Sequence, residues 1–364
     1  MEKMKHIFDN FDFKGELINC EPFGSGHINS TYLVKYNNNG EESSYIVQRV
    51  NTNVFRNIDD LMGNVFAVTS FLREKIEQNN GDPDRETLNY MKTLTGDLYY
   101  KDSDGKCYRA YRFVDNSKCC DSVESAEVFE KSGIAFGRFQ KYLSDFPAET
   151  LKETIPDFHN TIWRFENEFL PAVKADKAGR AAECKKEIEF VINRRNDCTR
   201  LTDLAAKGEI PVRVTHNDTK LNNVLFDNDS DEAICVIDLD TVMPGLALYD
   251  FGDSIRFGAN TCAEDEKDSS RVAINLDYFK AYAGGFLSEA GDSLTQAEKD
   301  NLAFSAKLMT FECGMRFLTD YLNGDTYFKV AYPEHNLVRA RCQLALVADI
   351  EKHMSEMEDI IKSL

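Results

Sequence analysis

The spacing of apolar positions divides the chain into a strand-rich beginning and a helix-rich remainder. Leu17 to Pro22 and Thr31 to Tyr36 flank Gly24-Ser25-Gly26, and Asn37-Asn38-Asn39-Gly40 separates them from Tyr45 to Val50, which predicts three antiparallel strands. From Asn53 to Asn79 the period changes. Ile58, Leu61, Met62, Val65, Phe66, Leu72 and Ile76 recur at three and four, the spacing of one helix face, and Asn80-Gly81-Asp82-Pro83 ends it. Short strand-like pieces with turns at Gly96 and Asp104-Gly105 lead to Tyr108 to Val114. After Asp115 the spacing is helical over Val123 to Tyr142, Asp157 to Phe169, Cys184 to Leu204, Leu276 to Phe286, Ala297 to Leu322 and Leu337 to Ile361. Residues 212–237 interrupt this with strand, polar loop, strand, acidic turn and strand. The pattern predicts an α+β chain in two lobes, residues 1–115 and 116–364.

Composition narrows the function. The 364 residues carry a formal charge of −19, which excludes a general nucleic-acid binder and disfavours an anionic membrane surface, because both need clustered Lys and Arg. No run of about 18 apolar residues predicts a membrane span, and no apolar stretch follows the basic start, so a cytoplasmic protein without a signal peptide is expected. The ten cysteines are scattered, with no C-x-x-C pair and no His at ligand spacing, so they predict small core residues in a reducing compartment rather than a zinc site.

The densest polar cluster is His216-Asn217-Asp218-Thr219-Lys220-Leu221-Asn222-Asn223, between two apolar strands. It fits H-x-D-x-x-x-x-N, a kinase catalytic loop, in which the Asp accepts the proton of the attacking hydroxyl and the Asn binds Mg²⁺. A polar loop that caps the next element would read the same, so context decides. Val236-Ile237-Asp238-Leu239-Asp240 supplies it, placing a second carboxylate, Asp238, at the end of an apolar strand. Phosphoryl transfer needs such a set, because metals neutralise the phosphates and a carboxylate orients the nucleophile. Asp250-Phe251-Gly252 spells the protein-kinase metal motif but follows Met243-Pro244-Gly245 rather than a buried strand. Asp238 is therefore preferred as the ligand, and Asp250 is expected to hold the loop backbone through hydrogen bonds.

Phe23 to Thr31 contains Gly24, Ser25 and Gly26, a turn whose backbone N–H groups can approach phosphates with no Cβ in the way, or an ordinary hairpin turn. It is neither a P-loop nor a Rossmann fingerprint. On the third strand, Arg49 offers either a cation for the α- and β-phosphates or plain surface charge.

The order of glycine hairpin, third-strand cation, helix, HxDxxxxN and I-D-x-D resembles the aminoglycoside phosphotransferase and choline kinase superfamily of small-molecule kinases. That resemblance implies a two-lobed, protein-kinase-like fold. The runs Thr215 to Lys220, Val236 to Gly245, Tyr249 to Gly258 and Phe311 to Tyr321 resemble more closely the N-acetylhexosamine 1-kinases. By this resemblance ATP and Mg²⁺ are implied, and Asp218 would be the base toward the C1 hydroxyl of N-acetylglucosamine or N-acetylgalactosamine. Asn223 and Asp238 would hold Mg²⁺, Lys220 would meet the γ-phosphate, and Gly24, Ser25, Gly26, Thr31 and Arg49 would serve the nucleotide. The backbone from Tyr111 to Asp115, including Arg112 and Phe113, would meet adenine, and the sugar would lie against Phe257, Arg316 and Tyr327. A neutral amide-bearing sugar suits an aromatic wall and forked donors, whereas Arg316 would repel a polycation. The lack of an A-P-E segment after Asp238 argues against a protein substrate. Two other readings stay open: a kinase of another small-molecule hydroxyl (aminoglycoside, choline-like or other sugar), and a nucleotide-binding pseudokinase scaffold. His27 and His159 read as structural or peripheral.

Overall fold

The computed structural model describes residues 2–24 and 28–364. The chain forms two compact units: Met1–Cys119, Asp145–Ile155 and Val224–Pro244 make the first, and Cys120–Ser144, Pro156–Asn223 and Gly245–Leu364 the second. The division expected at 115/116 thus moves to Cys119, and two later segments rejoin the first unit. Long-range pairing is the reason. Strand Val224–Asp227 pairs antiparallel with both Ser117–Cys119 and Ala233–Val236. Asn64, buried on the helix Ile58–Gln78, donates to the Lys152 and Val242 carbonyls at 2.7 and 3.0 Å and accepts from the Lys152 N–H at 2.9 Å.

The first unit is built on an antiparallel sheet in the order Glu16–Pro22, Ser30–Asn38, Glu41–Val50, Cys107–Arg112, Tyr90–Met91, with Tyr100–Lys101 also on Cys107–Arg112. Val34, Tyr36, Tyr45, Val47, Tyr108 and Ala110 bury one face of it against Ile7, Phe8 and Phe11. Strand residues alternate between faces, so Gln48 and its partner Arg109 turn the other way, where Arg109 meets Met62 of the helix Ile58–Gln78. That helix starts at Asn57, whose side chain accepts from the Asp60 N–H, and buries Leu61, Met62, Val65, Val68, Leu72 and Ile76.

The second unit is helical. Ala126–Tyr142, capped by Ser125, packs on Leu276–Ala290 with almost no gap. A Cβ at Gly133 or Gly137 would lie 2.4 Å from the Tyr282 carbonyl oxygen or 2.5 Å from that of Phe286, so the backbones touch where only glycine fits. The long helix Leu302–Asn323 runs through the core, its Phe311, Met315 and Leu318 packed with Phe165, Phe169, Val191, Leu337 and Leu344. Two expectations change here. The helix expected from Asp157 begins at Thr161, because Asn160 takes the cap and accepts from the Trp163 N–H, and it passes into a π turn at Phe165–Phe169. Ala247–Gly258 is a helix absent from that expectation; its polar Asp250, Asp253 and Ser254 share one side at helical spacing, but every residue except Phe257 is buried, so that side meets protein and not solvent.

Candidate active site

In the second unit, residues 216–223 leave the strand Arg213–Thr215 and end in a short 3₁₀ turn, Leu221–Asn223. Buried Asp250 holds this loop from below: its carboxylate accepts from the His216 N–H at 2.9 Å and the Asn217 N–H at 2.8 Å, and its carbonyl from Thr219 Oγ1 at 2.6 Å. Gln140 completes the clamp by donating to Asp250 Oδ2 at 2.8 Å and to the Val214 carbonyl at 3.0 Å. Asp250 therefore does hold the loop backbone. Burial pushes its carboxyl above the ordinary value, against the pull of His216 and these donors.

Above the clamp the structure brings Asp218, Lys220 and Asn223 together. Lys220 Nζ lies 2.7 Å from Asp218 Oδ1, and Asn223 Nδ2 donates to the Asp218 carbonyl at 2.8 Å and to Oδ2 at 3.3 Å. Burial would lower the Lys220 ammonium, but Asp218 and Asp253 outweigh it and hold it above its ordinary value. With the Asn223 N–H groups turned to Asp218, Oδ1 is the atom this side chain has to offer, a hard oxygen of the kind Mg²⁺ accepts.

Asp253, paired with Arg256 at 2.8 Å, backs the cluster through its charge on Lys220. Burial pushes its carboxyl up, but Arg256 and Lys220 more than offset this and hold it below the ordinary carboxylate value. The stability it contributes is present above the unfolded pKa of about 3.9 and is lost as pH falls through the lower folded value. Urea unfolding at pH 7 should therefore separate the wild type from Asp253→Asn, and the gap should close below about pH 4. A gap that widens in acid would refute the sign.

A cavity of about 400 Å³ lies in the same unit, lined by Arg164, Glu168, Arg316, Asp320, Tyr327 and Phe328 among others. The Arg316 guanidinium stands 5.3, 5.9 and 5.7 Å from the ring centres of Phe158, Tyr327 and Phe328. Of the three expected sugar contacts, Arg316 and Tyr327 share this cavity, whereas half-buried Phe257 does not line it. Sequence reasoning missed Asp320 and Arg164. Glu312, Arg316 and Asp320 recur every fourth residue on a mostly apolar helix, and that was the available signal. Asp320 accepts from the N–H groups of Thr326, Tyr327 and Phe328 at 2.8, 2.9 and 2.9 Å and from Asn336 Nδ2 at 2.9 Å, which fixes the segment that carries Tyr327.

In the first unit, Gly24 has φ 75 at the start of the glycine turn; Ser25 and Gly26 lie outside the described residues. Thr31 Oγ1 accepts from Gln48 Nε2 at 3.1 Å. Gln48 Oε1 accepts from Arg109 Nε and Nη2 at 2.9 and 2.7 Å, and Arg109 Nη1 is 2.5 Å from Asp240 Oδ1. Asp240 Oδ2 in turn accepts from Asn29 Nδ2 at 2.7 Å. One polar network thus ties the glycine hairpin to the I-D-x-D segment. Arg109, 1% exposed, is its cation. Arg49 is not: it is exposed on the opposite face, 3.1 Å from Ser30 Oγ, because one step along a strand reverses the face. Asp238 follows the strand Ala233–Val236 at φ 59, a left-handed conformation that Asp tolerates, and is exposed. The N–H groups of Arg112 and Phe113 are already donated to the Asn89 and Ser44 carbonyls at 3.0 Å each. These two residues therefore have carbonyls, not N–H groups, to offer adenine. The Phe113 ring meets Phe23 edge-on at 5.5 Å. Among the described residues no three His, Cys, Asp or Glu side chains are grouped to hold a metal ion, and no helix is long and apolar enough to cross a membrane.

The pattern of the phosphotransferase enzyme family matches residues 19–285. Similar solved structures include a spectinomycin phosphotransferase in complex with ADP and spectinomycin, 12% identical, covering 98% of each chain at a TM-score of 0.57. An aminoglycoside phosphotransferase from Alicyclobacillus acidocaldarius is 10% identical, covers 99% of this chain and 96% of its own, and gives a TM-score of 0.61. A choline kinase from Streptococcus pneumoniae is 14% identical, covers 96% and 97%, and gives 0.53. At these identities the likeness concerns the fold: kinase-like, with an N-terminal antiparallel sheet and a largely helical C-terminal part.

Proposed function

Because this chain belongs to the phosphotransferase enzyme family, we propose that it transfers the γ-phosphoryl group of ATP to the anomeric C1 hydroxyl of an N-acetylhexosamine. Asp218 orients and deprotonates the hydroxyl, and Lys220 moves from Asp218 toward the incoming phosphoryl oxygens. Asn223 is the Mg²⁺-binding candidate of the second unit and Asp238 that of the first. The metal, when bound, neutralises phosphate charge. In the first unit, Gly24 and Thr31 are the nucleotide candidates among the described residues, with the Arg112 and Phe113 carbonyls toward adenine; Ser25 and Gly26 share that assignment. Arg49 is left to the surface.

The observation that carries the acceptor reading is the Arg316 cavity. Aromatic faces surround a guanidinium, a second guanidinium, Arg164, lines the wall and is paired with Glu168 at 2.8 Å, and the Asp320 carboxylate is spent on backbone N–H groups. Such a lining stacks on the apolar face of a sugar and donates to its hydroxyl and amide oxygens, but it opposes a cationic acceptor. Phe257, outside this lining, is kept as a sugar contact only through the resemblance.

ADP release with N-acetylglucosamine, N-acetylgalactosamine, glucose, choline and an aminoglycoside tests this reading. Turnover with the N-acetylhexosamines, with the product phosphorylated at C1, is the expected result. Turnover with choline or an aminoglycoside alone would replace the acceptor, and ATP binding without turnover would favour the scaffold. Tyr327→Ala should raise the sugar KM about fivefold to tenfold, the worth of one aromatic contact, and leave the KM for ATP unchanged.

A further inference from the structure

His159 has no place in the chemistry above, yet it is built into the loop that carries it. Its ring is buried beside Phe158 and Tyr249, with centroids 4.5 and 5.4 Å away, and both nitrogens are engaged. Nδ1 stands 2.8 Å from Glu312 Oε1, and Nε2 stands 3.3 Å from the carbonyl oxygen of Asn217. Glu312, 1% exposed, is held in turn by Thr161 Oγ1 at 2.6 Å, with Arg164 Nε at 4.0 Å.

The position of that carbonyl matters. Asn217 precedes Asp218 and sits at φ 65, the left-handed conformation that Asn, like Asp, tolerates, so the chain turns sharply just before the base. Asp250 grips the peptide group before Asn217 through its N–H. His159 grips the peptide group after it, the one that leads into Asp218. We propose that His159, anchored by Glu312, is a positioning residue for the Asp218 base. His216 Nδ1 accepts from the N–H of the Asn217–Asp218 peptide at 3.2 Å, and His159, on its carbonyl, fixes the plane from the other side and with it the direction in which the Asp218 carboxylate leaves the backbone. The proposal rests on the reading of Asp218 as the base of a hydroxyl kinase. A carbonyl can only accept, so the contact with Asn217 requires the hydrogen on Nε2.

Two substitutions separate positioning from mere packing. His159→Gln places an amide N–H near the site of Nε2 and keeps the Asn217 contact. His159→Asn places it near the site of Nδ1, keeps Glu312 and loses Asn217. Both remove the ring from the core and should lower Tm alike. If His159 positions the base, His159→Asn lowers kcat about tenfold to a hundredfold, the cost of a misplacement near 1 Å, while both KM values stay within about threefold. His159→Gln should keep kcat within about threefold of wild type. Equal kcat in the two variants, or a loss confined to Tm or to the sugar KM, would overturn the proposal. A protein that phosphorylates choline or an aminoglycoside but no sugar would sink the acceptor reading alone, and the same pair of variants is then compared with that acceptor. A protein that turns over no acceptor would sink both.

Discussion

Asp218→Asn is expected to lower kcat about a thousandfold while the affinity for ATP stays within a few-fold. The size follows from what the carboxylate does. A general base that removes and directs the proton of the attacking hydroxyl contributes roughly 10² to 10⁴ in rate, and the amide keeps the shape but cannot take the proton. Folding should be nearly untouched, because the Asn223 contact to the Asp218 carbonyl and the Asp250 clamp beneath the loop involve the backbone. The substitution also frees Lys220, which sits 2.7 Å from Asp218 and is held above its ordinary pKa chiefly by the Asp218 charge, against burial. Steady-state ADP release with saturating sugar measures kcat, and nucleotide titration measures affinity. If the variant keeps more than a tenth of the wild-type kcat, Asp218 is not the base.

The largest stability effect is expected at Arg109. Its guanidinium, 1% exposed, has Gln48 on one side and Asp240 on the other, and Asp240 is itself 4% exposed. Arg109→Met leaves a buried carboxylate without its cation, which costs about 3–5 kcal/mol. Removing both charges together, as Arg109→Met with Asp240→Leu, should recover most of that loss, because the desolvation cost disappears along with the attraction. Urea titration of the two single variants and the double variant checks this. A loss below about 1 kcal/mol for Arg109→Met would mean that Asp240 finds another partner. Arg49→Met, on the exposed face, serves as the control and should change stability by less than about 0.5 kcal/mol.

The contrast between Asp218 and Arg109 marks what was legible in the chain. The Asp218 loop could be read because all its parts lie within eight residues at fixed spacing, and the structure does gather Asp218, Lys220 and Asn223. Arg109 could not be read that way. Its partners lie on a neighbouring strand and in a segment that rejoins the first unit at Val224. Which face of the strand it occupies depends on register, and one step along a strand exchanges the faces, so spacing alone does not separate Arg109 from Arg49 on the neighbouring strand. The helix Ala247–Gly258 carries Asp250, whose role in holding the loop was foreseen, and Asp250, Asp253 and Ser254 recur at helical spacing; all three are buried, so the polar side of this helix faces protein rather than water. His159 shows the reverse limit: nothing in its neighbours in sequence distinguishes a core histidine from one that bonds Asn217 across the fold.

Asp320 has a consequence for the history of such a cavity. It grips residues 326–328 by their backbone N–H groups, which every amino acid except proline possesses. The path of this segment is therefore set largely through its backbone. Thr326 and Tyr327 can each be exchanged by point mutation while the frame that presents them stands, whereas Phe328 also packs on Phe317 of the core. A lineage that keeps Asp320 can vary the lining of its cavity one residue at a time without passing through an unfolded ancestor, and only proline closes that route.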